Sequence, residues 1–117
     1  MNISVVIPLY NAEEYIIETL KSLINQTYPI DEILVIDDCG TDRSSEIVEE
    51  FSKRYPVIKL IRQTHNQGSS AARNRGLAEA RNEWVLMMDA DDLAHPSLLE
   101  KEVNYLLQNL NSTPMPV

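Results

Sequence analysis

The sequence holds one cysteine and three glycines, and each shortage removes a class of protein. With Cys39 alone, no intrachain disulfide can form, and a reducing compartment is the simpler setting. Glycines at 40, 68 and 76 cannot make a Gly-x-Gly-x-x-Gly dinucleotide turn or a Walker phosphate loop. Positive charge is also scarce, with 10 Lys and Arg against 18 Asp and Glu for a formal net charge of −8. No local Lys/Arg cluster offsets this, so the chain would repel a phosphate backbone, which argues against nucleic acid as a partner. A small anionic substrate would instead need a local device such as a metal ion. No apolar run approaches the ~20 residues that span a bilayer. The chain enters Ile3-Ser-Val-Val-Ile7 directly, with no basic leader. The expectation is a cytoplasmic segment without a membrane span. The sequons at Asn2, Asn25 and Asn111 carry no weight in that setting.

What is present is a 117-residue chain that is 44% hydrophobic, enough for one domain burying roughly two-thirds of its unfolded surface. Short apolar runs alternate with stretches of helical period, the pattern of βαβ units around a parallel sheet. Strands are expected at Ile3 to Leu9, Glu32 to Asp37, Val57 to Ile61 and Trp84 to Met88, the last fully buried. Ile16, Ile17, Leu20, Leu23 and Ile24 share one helical face, and that helix should stop before Pro29. Asp42 or Ser44 can cap a second helix that turns Ile47, Val48 and Phe51 inward and ends at Pro56. A third should run from Gly68 to about Arg81, with Gly76 weakening its far end. Pro96, Ser97 and Glu100 suggest a capping box before a last helix carrying Leu98, Leu99, Val103, Leu106, Leu107 and Leu110. One domain over 1–110 is expected, with 111–117 a disordered or end-of-chain tail.

In open α/β sheets, chemistry gathers at the carboxyl ends of the strands. Here those ends read Pro8-Leu-Tyr-Asn11, Asp37-Asp-Cys-Gly-Thr-Asp42, His65-Asn-Gln-Gly68 and Asp89-Ala-Asp-Asp92. Asp37 or Asp42 could equally be a plain helix cap. The last cluster differs, because residues i and i+2 of an extended chain face the same way, so Asp89 and Asp91 can share a site with Asp92 beside them. Three such carboxylates repel one another unless a cation or a polyol lies between them. Oxygen-only donors favour Mg2+ or Mn2+, which complete their shells with water and substrate phosphates. A solvated acidic turn is the competing reading. Gly68 and two serines open a helix whose free N–H groups suit a diphosphate. Arg73 and Arg75 could donate to phosphate oxygens, although on spacing alone a salt bridge is the simpler role for either.

Together, Val5-Val-Ile-Pro-Leu-Tyr-Asn11, Ser22-Leu-Ile-Asn-Gln-Thr-Tyr-Pro29, Glu32-Ile-Leu-Val-Ile-Asp-Asp38, Asn66-Gln-Gly68, Ala72-Arg-Asn-Arg-Gly76 and Asp89-Ala-Asp-Asp92 resemble glycosyltransferase family 2. Six strings in order and at the right spacing cover the chain from Ile3 to about Leu98. The resemblance implies a Rossmann-like GT-A half-domain, an α/β fold with a mainly parallel four-stranded sheet flanked by helices. It implies a nucleotide diphosphate sugar, most often a UDP-sugar, as donor, with Mn2+ or Mg2+, in an inverting transfer. Pro8, Tyr10, Asn11 and Asp38 would line the base pocket, with Tyr10 and Asp38 contacting uracil. Arg73 would lie near the base or diphosphate. Asp89 and Asp91 match the family's DxD motif, in which the first acid holds the ribose and the second the metal, with Asp92 as a substitute.

Two departures stand out. The turn after the paired acids commonly reads Gly-Ser-Thr-Asp in that family but Cys39-Gly-Thr-Asp42 here, which leaves its geometry open. The acceptor-binding region, with the acid that deprotonates the attacking hydroxyl, has no counterpart, so the base is expected beyond Val117 and transfer by this chain alone is not. A glycan or other acceptor would bind through that missing region. A phosphoacceptor receiver domain would need an acidic pair after the first strand, where Pro8-Leu-Tyr-Asn11 stands. A non-catalytic nucleotide-binding or scaffolding domain is the alternative that composition leaves open.

Overall fold

The computed structural model describes residues 1–112, and of these the side chains of 1–109. Four strands, β1 (Ile3–Leu9), β2 (Glu32–Asp37), β3 (Ile58–Arg62) and β4 (Trp84–Met87), alternate with four helices, α1 (Ile16–Ile24), α2 (Ser44–Arg54), α3 (Ser69–Glu79) and α4 (Leu98–Ser112). The sheet order is β3-β2-β1-β4, and every pairing is parallel. β1 and β2 are central and read as continuous apolar runs because both of their faces are covered. Val5, Ile7 and Leu9 point to one face with Ile33 and Val35, where α1, α2 and the start of α4 pack through Ile16, Leu20, Leu23, Val48, Leu99 and Val103. Val6, Leu34 and Ile36 point to the other face, under Ala72 of α3.

Gly76 lies inside α3, and the reason is packing. A Cβ at this position would lie 2.2 Å from Val6 Cγ1, so only glycine lets the helix approach the central strand. Glu32, 1% exposed at the amino end of β2, accepts from Ser4 Oγ at 2.8 Å and Arg81 N at 2.6 Å and pairs with Lys59 and Arg81. Burial pushes its pKa up, but these donors more than offset that and hold the carboxyl below its ordinary value.

Three local expectations are corrected. β4 is half-buried rather than fully buried, since it is an edge strand paired on one side only. The capping box does not close: Glu100 accepts from Thr27 Oγ1 at 2.8 Å instead of reaching back to Ser97 N, which donates to His95 Nδ1. α4 continues past Leu110 to Ser112, and Leu107 on it is exposed. The rest of the tail expected over 111–117 lies outside the described residues. Among the described residues, no helix is long and apolar enough to cross a membrane.

From β1 the chain steps outward to β2 and β3, then returns to place β4 on the other side of β1. The sheet therefore has a topological switch point between β1 and β4, the place where open α/β sheets form ligand crevices. Pairing between these two strands ends at Val6↔Met87. Val6 O accepts from Met88 N on the β4 side and Leu9 O from Asp38 N on the β2 side. By alternation, Pro8 turns its nitrogen toward the β4 side beyond the last pair, so the proline costs no ladder bond where the strands part.

Candidate functional site

A cleft of about 410 Å³ opens at the switch point. Its walls come from Pro8 to Ala12 at the end of β1 and just beyond it, Asp38 after β2, Asn66, Gly68 and Ser69 before and at the start of α3, Ala72 and Arg73 within α3, and Asp89 to Asp91 after β4. Pro8, Tyr10, Asn11, Asp38, Gly68, Arg73, Asp89 and Asp91 thus share one cavity, though they span 84 positions of sequence from residue 8 to residue 91. Asp92 is not in the cleft wall, but its Oδ2 accepts from Asp89 N at 3.1 Å and closes the acidic turn. Arg75 faces away and pairs with Glu79 at 3.2 Å one helical turn on, the simpler of its two expected roles.

The loops around the cleft brace one another. Asn11, at φ 47°, accepts from Thr41 N at 2.7 Å and Asp42 N at 3.2 Å, so its amide braces the neighbouring loop. Asp42 accepts from Glu13 N at 3.1 Å and Ser44 N at 2.9 Å and also contacts the Ser44 hydroxyl; burial raises its pKa, and these donors bring it below the ordinary value. The geometry of the 39–42 turn is set by Cys39, which itself adopts the left-handed conformation at φ 64°. Gly40 is needed for space instead, since a Cβ there would lie 2.8 Å from Asn11 Oδ1. The left-handed residue therefore sits where the family commonly has its glycine, at a strain of about 1–2 kcal/mol for a residue with a side chain.

Asp38 is 4% exposed, and both of its oxygens are used: Oδ1 accepts from Gln67 N at 2.8 Å and Oδ2 from Gly68 N at 2.9 Å. This carboxylate straps the loop before α3 to the end of β2. The Gly68 N–H, expected among the phosphate donors, is thereby occupied, leaving the first amides of α3 proper, beginning at Ser69, facing the cleft end. Gly68 itself is demanded by conformation and not by space: its φ is 94°, and a Cβ there would meet nothing within 4 Å.

Arg73 reaches from α3 to Asp89, Nη2 to Oδ1 at 3.1 Å, so it is both a salt-bridge partner and a cleft residue. One carboxylate oxygen from each of Asp89, Asp91 and Asp92 lies within 4.8 Å of the others, and all three residues are exposed. Three hard oxygen donors suit Mg2+ or Mn2+ and do not suit a soft metal. Asp89 and Asp92 have partners of their own; Asp91 has no hydrogen bond or ion pair among the described residues, which leaves it the freest donor. Tyr15 and Asn66 also line the cleft, and sequence reasoning misses both. Tyr15 is the residue before α1 and carries no distinguishing signal, whereas Asn66 stands in the Asn66-Gln-Gly68 string of the family resemblance without a role of its own there.

The open parallel sheet, with a cleft at its switch point, defines a Rossmann-like α/β domain of GT-A type. The model of glycosyl transferase family 2 matches residues 4–114, and the chain belongs to that family. It is 40% identical over 107 residues to an uncharacterized glycosyltransferase of Haemophilus influenzae, covering 92% of this chain and 43% of that protein. It is 39% identical over 112 residues to a poly(ribitol-phosphate) beta-glucosyltransferase of Bacillus spizizenii, covering 93% of this chain and 18% of the relative. The crystal structure of S. aureus TarS in complex with UDP superposes with a TM-score of 0.85 at 31% identity, over 100% of this chain and 38% of that one. A Pyrobaculum calidifontis mannosyltransferase in complex with GDP-Man and Mn2+ gives a TM-score of 0.81 at 29% identity, over 96% of this chain and 33% of its own. The chain thus spans less than half the length of these relatives.

Proposed function

We propose that the chain forms the donor side of an inverting glycosyltransferase, binding a nucleotide diphosphate sugar, a UDP-sugar, together with Mn2+ or Mg2+ in the cleft. The observation that carries this is the convergence of Tyr10, Asp38, Arg73, Asp89 and Asp91 on one cavity at the switch point. Tyr10, 51% exposed, offers a ring for the base, and Asp38 borders the same wall. Asp89 would take the ribose, Asp91 the metal with Asp92 in support, and Arg73 and the α3 N-terminus the diphosphate. UDP bound to TarS and Mn2+ bound to the mannosyltransferase support the assignment by kinship.

In the reaction, an acceptor hydroxyl oxygen attacks the anomeric carbon from the face opposite the leaving group. The new C–O bond forms as the bond to the phosphate oxygen breaks, the electron pair departs with the nucleoside diphosphate, and the hydroxyl proton passes to a base. A bound divalent ion supplies Lewis-acid stabilisation of the leaving diphosphate. Arg73 adds a positive charge beside it, and the acidic turn orients the donor. The base, which must lie within about 3 Å of the attacking acceptor hydroxyl, is none of the carboxylates that hold the donor and the ion.

The test is thermal unfolding with UDP, with and without Mn2+. Stabilisation should require the ion, by about 2.7 kcal/mol at a ligand concentration 100-fold above Kd. Equal stabilisation by UDP in excess EDTA refutes the metal role of Asp91, and no stabilisation in either condition refutes the nucleotide site.

A further inference from the structure

Ser22, Gln26 and Thr27 have no part in the cleft, yet all three bond the segment that follows the acidic turn, from Ala94 to Glu100, and Thr19 bonds the turn itself. Thr19 is fully buried on α1; its Oγ1 lies 2.7 Å from Ala90 O and 3.2 Å from Tyr15 O. A hydroxyl has one proton, and the shorter contact takes it. Three residues on, Ser22 Oγ donates to Thr19 O at 2.7 Å and accepts from Ala94 N at 3.1 Å. Just past the end of α1, Gln26 donates to His95 O at 2.7 Å and accepts from Leu99 N at 3.1 Å. Thr19 and Ser22 fall on one face of α1 and Gln26 follows just past its end, so the three together hold the backbone from Ala90 to Leu99.

Ala90 is the residue between Asp89 and Asp91. Its carbonyl belongs to the planar peptide that ends at the Asp91 Cα, so that peptide cannot rotate without breaking the Thr19 bond. On the cleft side Asp91 has no partner among the described residues that could set its direction. We propose that Thr19 is a positioning residue for the acidic turn: its hydroxyl, from behind the cleft, fixes the Ala90–Asp91 peptide and thereby aims the Asp91 carboxylate at the cation. The proposal rests on the reading of Asp89 and Asp91 as a cation site and adds what orients them. Other hydrogen bonds, Asp92 N to Asp89 O at 3.1 Å and Met88 N to Val6 O at 3.0 Å, close the turn locally and tie it to β1, but neither touches the Ala90 carbonyl.

The experiment combines Mn2+ binding by electron paramagnetic resonance, with the metal alone as probe, and amide hydrogen exchange across residues 88–95. Thr19→Val keeps the shape and removes the hydroxyl; Thr19→Ser restores it. Val48→Ala, a buried α2 position outside the cleft, reports what general destabilisation does. Thr19→Val should bind Mn2+ about tenfold more weakly, the lower end of what outer hydrogen-bond partners of metal ligands contribute, and should lose protection at 89–92. Thr19→Ser should stay within about twofold of the wild type, and Val48→Ala should leave Mn2+ affinity unchanged. Wild-type affinity in Thr19→Val, an equal loss in Thr19→Ser, or an equal loss in Val48→Ala overturns the proposal. Should Thr19→Val not fold, Thr19→Ala is read in the same way. Wild-type protein that takes up no Mn2+ refutes the cation reading instead; exchange then decides the anchoring alone, upheld by lost protection at 89–92 and overturned by unchanged protection.

Discussion

Replacing Asp38 with alanine separates two jobs that the structure gives one carboxylate. Both of its oxygens accept backbone N–H groups of the loop before α3, from Gln67 at 2.8 Å and Gly68 at 2.9 Å. A hydrogen bond to a charged group contributes about 1.5–3 kcal/mol net, so two set an upper limit near 6 kcal/mol. Gln67 is exposed and Gly68 half-buried, so water can satisfy both amides once the carboxylate is gone. The expected loss is therefore nearer 2–3 kcal/mol, a fall in Tm of about 10 °C for a domain of this size. Urea unfolding followed by circular dichroism measures it. Uridine affinity, by calorimetry with and without Mn2+, should fall in both conditions, because the base wall and the start of α3 are disturbed together. Asp38→Asn keeps one acceptor oxygen and should recover part of the stability. Stability within about 0.5 kcal/mol of wild type in Asp38→Ala would falsify the strap, since surface substitutions without structural consequence fall in that range. Weakening that appears only when metal is present would place Asp38 at the ion and away from the base.

Gly76→Ala puts a methyl 2.2 Å from Val6 Cγ1 and should cost about 3 kcal/mol or somewhat more, with Val6→Ala in the same chain returning part of it; additive losses in the double variant would mean that the two positions do not meet. Glu32 has a depressed folded pKa, so its contribution is complete above its ordinary value of 4.5 and is lost as pH falls through the lower folded value. Unfolding free energy should accordingly drop on acidification below that point, and Glu32→Gln should flatten this acid limb while lowering stability at pH 7; an unchanged acid limb in Glu32→Gln would assign the drop to other carboxylates.

The sequence by itself determined the alternation of strands and helices and the polar character of each strand's carboxyl end. These depend on periodicity and local turn chemistry, which neighbouring residues carry. It also showed Asp89, Asp91 and Asp92 as one cluster, because two-residue spacing in an extended segment is a local property. Sheet order was decided in three dimensions: that β4 is an edge strand, and hence half-buried, follows from its place beyond β1 and not from Trp84-Val-Leu-Met87, whose composition reads like a central strand. The same holds for hydrogen-bond partners. Glu100 has the spacing of a capping box, but Thr27, 73 residues earlier, offers it a donor, and the local pairing loses. Asp38 and Gly68 are 30 residues apart, and Thr19 and Ala90 are 71 apart. A helical polar residue such as Thr19 reads as solvent-facing in sequence; only the packing of α1 against the segment after β4 turns its hydroxyl onto the peptide between two acids, because a buried carbonyl must find a donor and the fold brings that one within reach.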